Sequence, residues 1–151
     1  MLKPLRAKKE RQEAAGLLAD YWKRRGMPQY DLHWAERYLV EGHKKEVARD
    51  EFLVYSEDGK MLGIVSLITD VSGVAEIRDF VVEPSERRKG YGRRILDDIV
   101  AIAKERGMRK LFSLSLPQAE SLYASAGFIK EGILKSHFAP GEDLAIMSKF
   151  L

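Results

Sequence analysis

The residues best suited to chemistry lie in Arg87-Arg88-Lys89-Gly90-Tyr91-Gly92-Arg93-Arg94, where five of eight side chains are cationic. The stretch follows an apolar segment that ends at Val82 and opens an amphipathic one. Glycine has no Cβ, so the backbone at Gly90 and Gly92 can approach a ligand closely. Where a helix begins, the first N–H groups lack intrahelical acceptors, and the helix dipole adds partial positive charge. Cations, small residues and free backbone donors together suit a polyphosphate.

Two familiar phosphate motifs do not fit. The P-loop pattern G-x-x-x-x-G-K-[ST] is absent. A dinucleotide fingerprint needs a third glycine where Ile95 stands, and its first glycine at the strand end. Here the polar run Glu83 to Lys89 separates Val82 from Gly90. The order Val82-x-Pro84, then Arg87-x-x-Gly90-x-Gly92, resembles the coenzyme A pyrophosphate loop of the GNAT superfamily of acetyl-CoA-dependent N-acetyltransferases. A second segment, Ala119-x-x-Leu122-Tyr123-x-x-x-Gly127-Phe128, is similar to another motif of that superfamily, in the same order and at about the same separation. The stretch before it, Leu114-Ser115-Leu116-Pro117-Gln118, lacks the asparagine that members often carry there.

The resemblance implies acetyl-CoA as co-substrate, no metal, and direct transfer of the acetyl group to a primary amine: a protein N-terminus, a lysine or a small amine. It implies cofactor binding by Val82, Arg87, Arg88, Lys89, Gly90, Tyr91, Gly92 and Arg93, with the backbone amides of residues 88–93 on the pyrophosphate. The same cations and Arg94 form the pool from which the adenosine 3′-phosphate draws a partner. A backbone N–H near Val82, where members break strand pairing, is expected to polarise the thioester carbonyl.

Tyr123 matches the tyrosine that protonates the departing thiolate, a task suited to a phenol of pKa about 10. Taken alone, Tyr123 reads as a core residue of an amphipathic helix. The acceptor amine, with a pKa of about 10.4 for a lysine, must lose a proton before attack. Ala75-Glu76-Ile77 resembles the A-E-I segment of histone-acetylating members, whose glutamate is the base, so Glu76 is the first candidate. The plainer reading of Glu76 is a strand carboxylate paired with a neighbouring cation. Glu83, at the strand end, and His137, in the connection between the last two strands, are the alternates. His33 and His43 have no partners at metal-ligand spacing, so no metal site is expected.

These residues need a scaffold, and the pattern supplies one. Leu2 to Ala7 reads as a short strand, and residues 8–25 as a helix closed by Gly26 and Pro28. Asp31 caps a second helix that carries Leu32, Ala35, Tyr38 and Leu39. Three strands come next, at 51–55, 61–68 and 75–82, with Asp58-Gly59 as the first hairpin turn. A helix carrying Ile95, Leu96, Ile99, Val100 and Ala103 runs to Gly107. A strand at 110–116, a helix opened by Pro117, and two strands at 129–134 and 143–150 complete the chain. The fold class is α/β (α+β), a GNAT-like single domain over residues 1–151 with a central mixed, mostly antiparallel sheet flanked by helices.

Composition agrees with a globular α/β protein: 45% hydrophobic and 32% charged residues. No apolar run reaches the ~20 residues of a membrane span, and Met1 to Arg6 has no apolar signal region, so a cytoplasmic location with no membrane partner is expected. Zero cysteines exclude an acyl-cysteine intermediate in this chain. A net charge of +3 does not by itself call for nucleic acid. The readings from other classes are a basic nucleic-acid-binding domain, with aromatics interleaved among cations, and an acyl-CoA sensor without chemistry. A homodimer is compatible with the fold, and nothing in the residues argues for it.

Overall fold

The computed structural model describes residues 3–151. The chain divides into two compact units, the first ending at Glu46 and the second spanning Val47–Leu151.

The first unit holds α1 (Lys8–Arg24) and α2 (Leu32–Glu41), with a 3₁₀ turn at Gly42–Lys45 after them. Asp31 caps α2 as expected, its Oδ1 accepting from the Trp34 N–H at 2.9 Å. Ring contacts join the two helices, each of which also buries an alanine, Ala15 and Ala35. Trp22 stands edge-on to Trp34 at 5.0 Å, and Trp34 stacks on Tyr38, four residues on, at 4.9 Å. The strand expected at Leu2 to Ala7 does not form: Leu2 lies outside the described residues, and 3–7 are irregular. Pro4 offers no ladder donor, and Leu2 and Leu5 are three apart, which is not the period of a strand.

The second unit is a six-stranded sheet of β1 (Val47–Glu57), β2 (Lys60–Asp70), β3 (Val74–Val82), β4 (Lys110–Ser115), β5 (Ile129–Ala139) and β6 (Glu142–Phe150), in spatial order β1-β2-β3-β4-β6-β5. Only β3 and β4 run parallel; the other four pairings are antiparallel. Asp58 and Gly59 both have positive φ, as the expected hairpin turn requires. The crossover from β3 to β4 is α3 (Tyr91–Glu105), whose Ile95, Leu96, Ile99 and Ala103 are buried on the sheet. Each such isoleucine or leucine contributes about 1.5–3 kcal/mol, which fixes the axis of α3 and therefore where its N-terminus points. A 3₁₀ turn at Pro117–Ala119 leads into α4 (Glu120–Ser125).

Two irregularities in β3 open the sheet. Its core residues are Ala75 and Ile77, then Phe80 and Val82, so the period of two slips once. The slip is a β-bulge: Asp79 and Phe80 together oppose Val65 alone, and Asp79 takes φ +48°, a region that aspartate tolerates better than most residues. The second irregularity is a fork. β3 pairs with β4 only from Val74 to Glu76, against Lys110 to Phe112, and beyond that point β4 keeps its partner on β6 but not on β3.

Candidate active site

The fork opens into a cleft of 1040 Å³, walled by β3 from Glu76 to Val82, the glycine loop, the first turn of α3, the end of β4, α4, and His137 and Phe138 of β5. That volume stands at the upper end of small-molecule sites, as a long ligand requires. One end is the glycine loop and the start of α3, where free backbone donors would suit a phosphate. Gly90 caps α3 at φ +86°, and no side chain caps the helix. The backbone N–H groups of residues 88–93 have no protein acceptor among the described residues; the first to find one is Arg94, which donates to Gly90 at 3.2 Å.

The cations of the loop divide in two. Lys89 is held by Glu86 at 2.9 Å, Arg93 by Asp97 at 3.0 Å and by the Ser125 carbonyl, and Arg94 by Glu57 at 3.1 Å. Arg87 has only a weak bond from Nε to the Val82 carbonyl at 3.4 Å, and Arg88, at φ +63°, has no partner among the described residues. Arg87 and Arg88 line the cleft, while Lys89 does not. Two of the expected cations are therefore free to meet a phosphate without first breaking an ion pair. Glu86 binds Lys60 of β2 as well, at 2.7 Å, and the two ammonium groups hold its carboxyl down at about 2. That pair ties the loop to the β1–β2 hairpin.

The two glycines differ in role. A Cβ at Gly90 would enter open space, so what the position requires is the positive φ. A Cβ at Gly92 would stand 3.1 Å from Leu122 Cδ2 and 3.8 Å from Val82 Cγ2, so this glycine also lets α3 approach α4.

At the middle of the cleft stands Tyr123, 3% exposed. Its ring is edge-on to Phe80 and Phe128 at 6.4 and 5.3 Å. The phenol donates to Ser113 Oγ at 2.9 Å, and Ser113 donates to the Ile77 carbonyl at 3.1 Å. Burial pushes the phenol pKa up, and the bond with Ser113 partly offsets this. Above the bulge, the Glu83 N–H donates to the Leu62 carbonyl at 2.8 Å. Because successive N–H groups of a strand point to opposite edges, the Val82 N–H points across the fork, as does the carbonyl that Arg87 reaches.

The base candidates are placed unequally. Glu76 lines the cleft, but Arg78 grips both its oxygens, at 2.7 and 2.8 Å. His137 lines the cleft from the facing hairpin, within β5 rather than in a loop, since β5 runs on to Ala139. Glu83 is outside the cleft, as is Tyr91, whose ring lies beneath the Arg94 guanidinium at 5.3 Å. The cleft thus gathers Glu76, Val82, Arg87, Arg88, Gly90, Gly92, Arg93, Tyr123 and His137, and leaves out Lys89, Tyr91 and Glu83. Sequence reasoning missed Ser113 and Asp79. The signal for Ser113 was a serine at a core-facing position of an alternating strand, where a buried hydroxyl needs partners.

Among the described residues, no group of three or more histidines, cysteines or acids stands where it could hold a metal ion, and no helix is long and apolar enough to cross a membrane.

Residues 13–128 match the model of the Acetyltransferase (GNAT) family. Over 60 residues the chain is 35% identical to the probable glucosamine 6-phosphate N-acetyltransferase 2 of rice, Oryza sativa subsp. japonica, covering 40% of this chain and 36% of that one. The matched stretches span between 21% and 53% of the lengths of its curated relatives. An acetyltransferase structure from Bacillus cereus ATCC 14579 superposes with a TM-score of 0.63 at 22% identity, covering 100% of this chain and 98% of that one. A GNAT family acetyltransferase from Elizabethkingia anophelis, solved with acetyl-CoA bound, gives a TM-score of 0.63 at 18% identity, over 76% of this chain and 83% of that one. These two likenesses speak for the fold, while the family model, which covers most of the chain and both motifs around the cleft, establishes that the protein belongs to the GNAT acetyltransferase family.

Proposed function

We propose that the protein is an acetyl-CoA-dependent N-acetyltransferase in which a primary amine attacks the thioester directly. One observation carries the reading: Arg88, Gly90, Gly92 and Arg93, whose N–H groups have no acceptor among the described residues, line the same cleft as the buried Tyr123. Acetyl-CoA bound by its pyrophosphate at the loop extends its thioester into the fork. Arg88 and Arg87 take the remaining phosphate charge. The Val82 N–H donates to the thioester carbonyl oxygen and stabilises the oxyanion as the amine adds. Glu76 takes the proton that the protonated amine must shed before it attacks; as the C–S bond breaks, sulfur takes the Tyr123 proton, and the nitrogen releases its remaining surplus proton to solvent. Arg78 occupies both oxygens of Glu76, so the incoming amine or a water displaces part of that fork first. The chain has no cysteine to carry the acetyl group, which leaves direct transfer as the simplest route. The acceptor is a protein N-terminus, a lysine or a small amine. The rings of Trp22, Trp34 and Tyr38 pack on one another rather than fanning out among cations, which counts against a nucleic-acid surface.

The test is a panel of amines (peptides with free N-termini, lysine peptides, polyamines and small amines) assayed for thiol release from acetyl-CoA, with mass spectrometry of the product. Amine-dependent release with an acetylated product is the expected result. Calorimetric coenzyme A binding without release for any amine would make the protein a sensor, and absence of binding would remove the reading altogether.

A further inference from the structure

We propose that Ser113 is the positioning residue for the acid: it pins the mouth of the fork and sets the direction and acidity of the Tyr123 proton. Its part in transfer rests on the proposed acetyltransferase function; its hold on the proton stands on geometry alone. Ile77 is the first residue of β3 beyond the last pair with β4, Glu76 with Phe112, so its carbonyl is the first to lose a ladder partner on that edge. Ser113, the next residue of β4, supplies the missing bond from its side chain at 3.1 Å. The same oxygen accepts the Tyr123 proton at 2.9 Å, and both side chains are sealed, at 4% and 3% exposure. A hydroxyl has one proton and two lone pairs. With its proton on Ile77 and one lone pair on Tyr123, Ser113 holds the phenol hydrogen away from the cleft in the resting state.

Transfer reverses the chain without adding a reactant. When the C–S bond breaks, the Tyr123 O–H turns from Ser113 to the sulfur and gives it the proton. The Ser113 O–H turns from the Ile77 carbonyl to the phenolate oxygen and donates to it. A solvent proton later restores the phenol. A donor to the charged form makes it more accessible, which offsets the opposing effect of burial. The charged and titratable groups that line the cleft with Tyr123 are Glu76, Arg78, Asp79, Arg87, Arg88, Arg93 and His137, with Glu120 on the tyrosine's own helix and Lys149 on β6 nearby in the fold. Arg78 pairs with Glu76, Arg93 with Asp97 and Glu120 with Lys130, and Lys149 donates to the Ala126 carbonyl at 2.6 Å. Burial raises the phenol pKa as the larger cause, and the bond with Ser113 opposes it.

The experiment is an NMR titration of protein labelled at tyrosine ¹³Cζ, with Tyr123 assigned through Tyr123→Phe, on wild type, Ser113→Ala and Ser113→Thr. Removing a bond that favours the phenolate raises the pKa, so Ser113→Ala moves the Tyr123 midpoint to higher pH, and Ser113→Thr restores it. In turnover, Ser113→Ala lowers kcat about ten- to a hundredfold and shifts the alkaline limb of the rate profile upward, with KM for acetyl-CoA little changed. An unmoved Tyr123 midpoint in folded Ser113→Ala overturns the proposal. A moved midpoint in a protein that acetylates no amine keeps the hydrogen-bond chain and overturns its role in transfer, so the two failures are read separately. If Ser113→Ala melts too low to titrate, Ser113→Thr decides: a midpoint or kcat far from wild type overturns the assignment.

Discussion

Substitutions at the two glycines of the loop separate packing from ligand binding. At Gly92 a new Cβ stands 3.1 Å from Leu122 Cδ2, 3.5 Å from its Cδ1 and 3.8 Å from Val82 Cγ2. Alanine there gains up to about 1 kcal/mol of helix propensity, and the Leu122 tip, a flexible end, yields by a few tenths of an ångström. Gly92→Ala is therefore expected within about 1 kcal/mol of wild type, with coenzyme A affinity nearly unchanged. Valine adds two methyl groups to the same contact, and overpacking of this kind costs about 1–3 kcal/mol. For a chain of this length that is a fall in Tm of about 2–12 °C, read by circular dichroism. At Gly90 no atom lies within 4 Å of the new Cβ, but φ is +86°. Gly90→Ala costs about 1–3 kcal/mol in backbone strain or twists the loop to escape it. Either outcome moves N–H groups off the pyrophosphate, at about ten- to a hundredfold in affinity for each charged hydrogen bond lost. Calorimetric titration with coenzyme A, carried out well below the melts, completes the comparison. A Gly92→Val variant that melts with wild type refutes the helix-contact argument. A Gly90→Ala variant that binds coenzyme A like wild type refutes the cradle.

The same geometry leads to three further outcomes. Arg88→Ala is expected to weaken coenzyme A about ten- to a hundredfold, while Lys89→Ala, already neutralised by Glu86, changes it little; titration of 3′-dephospho-CoA shows whether Arg88 or Arg87 meets that phosphate, since the loss shrinks for the residue that does. The Glu86 carboxyl is depressed from 4.5 to about 2, so its contribution is fully present above pH 4.5 and disappears as pH falls through about 2; the Tm difference between wild type and Glu86→Gln should close over that window, and a difference constant with pH would refute the pairing with Lys60 and Lys89. If Glu76 takes the amine proton, Glu76→Gln abolishes the acidic limb of the kcat/KM profile and leaves the alkaline limb, whereas loss of that limb in His137→Ala instead would transfer the role to His137.

The range of the forces involved decides which features were legible in the sequence. The α3 helix, the Asp58-Gly59 turn and the Asp31 cap were readable because each is specified within a few residues, by burial period, positive φ or a side-chain acceptor. The start of α3 at Gly90, at positive φ, was readable for the same reason. The length of the last hairpin was not: β5 runs five residues past Leu134, through a register shift and Ser136 at φ +47°. The polar run that read as a loop is held there by Asp143, which accepts from the Ser136 N–H and from Lys135, both at 2.9 Å. That extension carries His137 to the cleft. Which loop cations are free was only partly hidden: Lys89 with Glu86 and Arg93 with Asp97 are local pairs at i,i+3 and i,i+4 spacing, whereas Arg94 meets Glu57 only once β1 stands beside α3.

The site itself arises from a disagreement between neighbouring strands, and its traces were in the sequence without being read. Core residues at 75 and 77, then at 80 and 82, cannot all face one side of a regular strand. One extra residue must be absorbed, and Asp79 absorbs it at positive φ. The bulge returns Phe80 and Val82 to the core, where Phe80 meets the Tyr123 ring. It also sets the parity that turns the Val82 N–H toward the fork. On the facing strand, Leu111, Ser113 and Ser115 occupy successive buried positions. An unbroken β3–β4 ladder would call for apolar residues there, and a buried hydroxyl without a partner costs about 1–3 kcal/mol. Ser113 is tolerable because the ladder has ended and left it a carbonyl to bond. A register slip in one strand and a serine in the core of the next are therefore two marks of one event, the parting of the sheet, and that parting opens the cleft that Tyr123 and Val82 line.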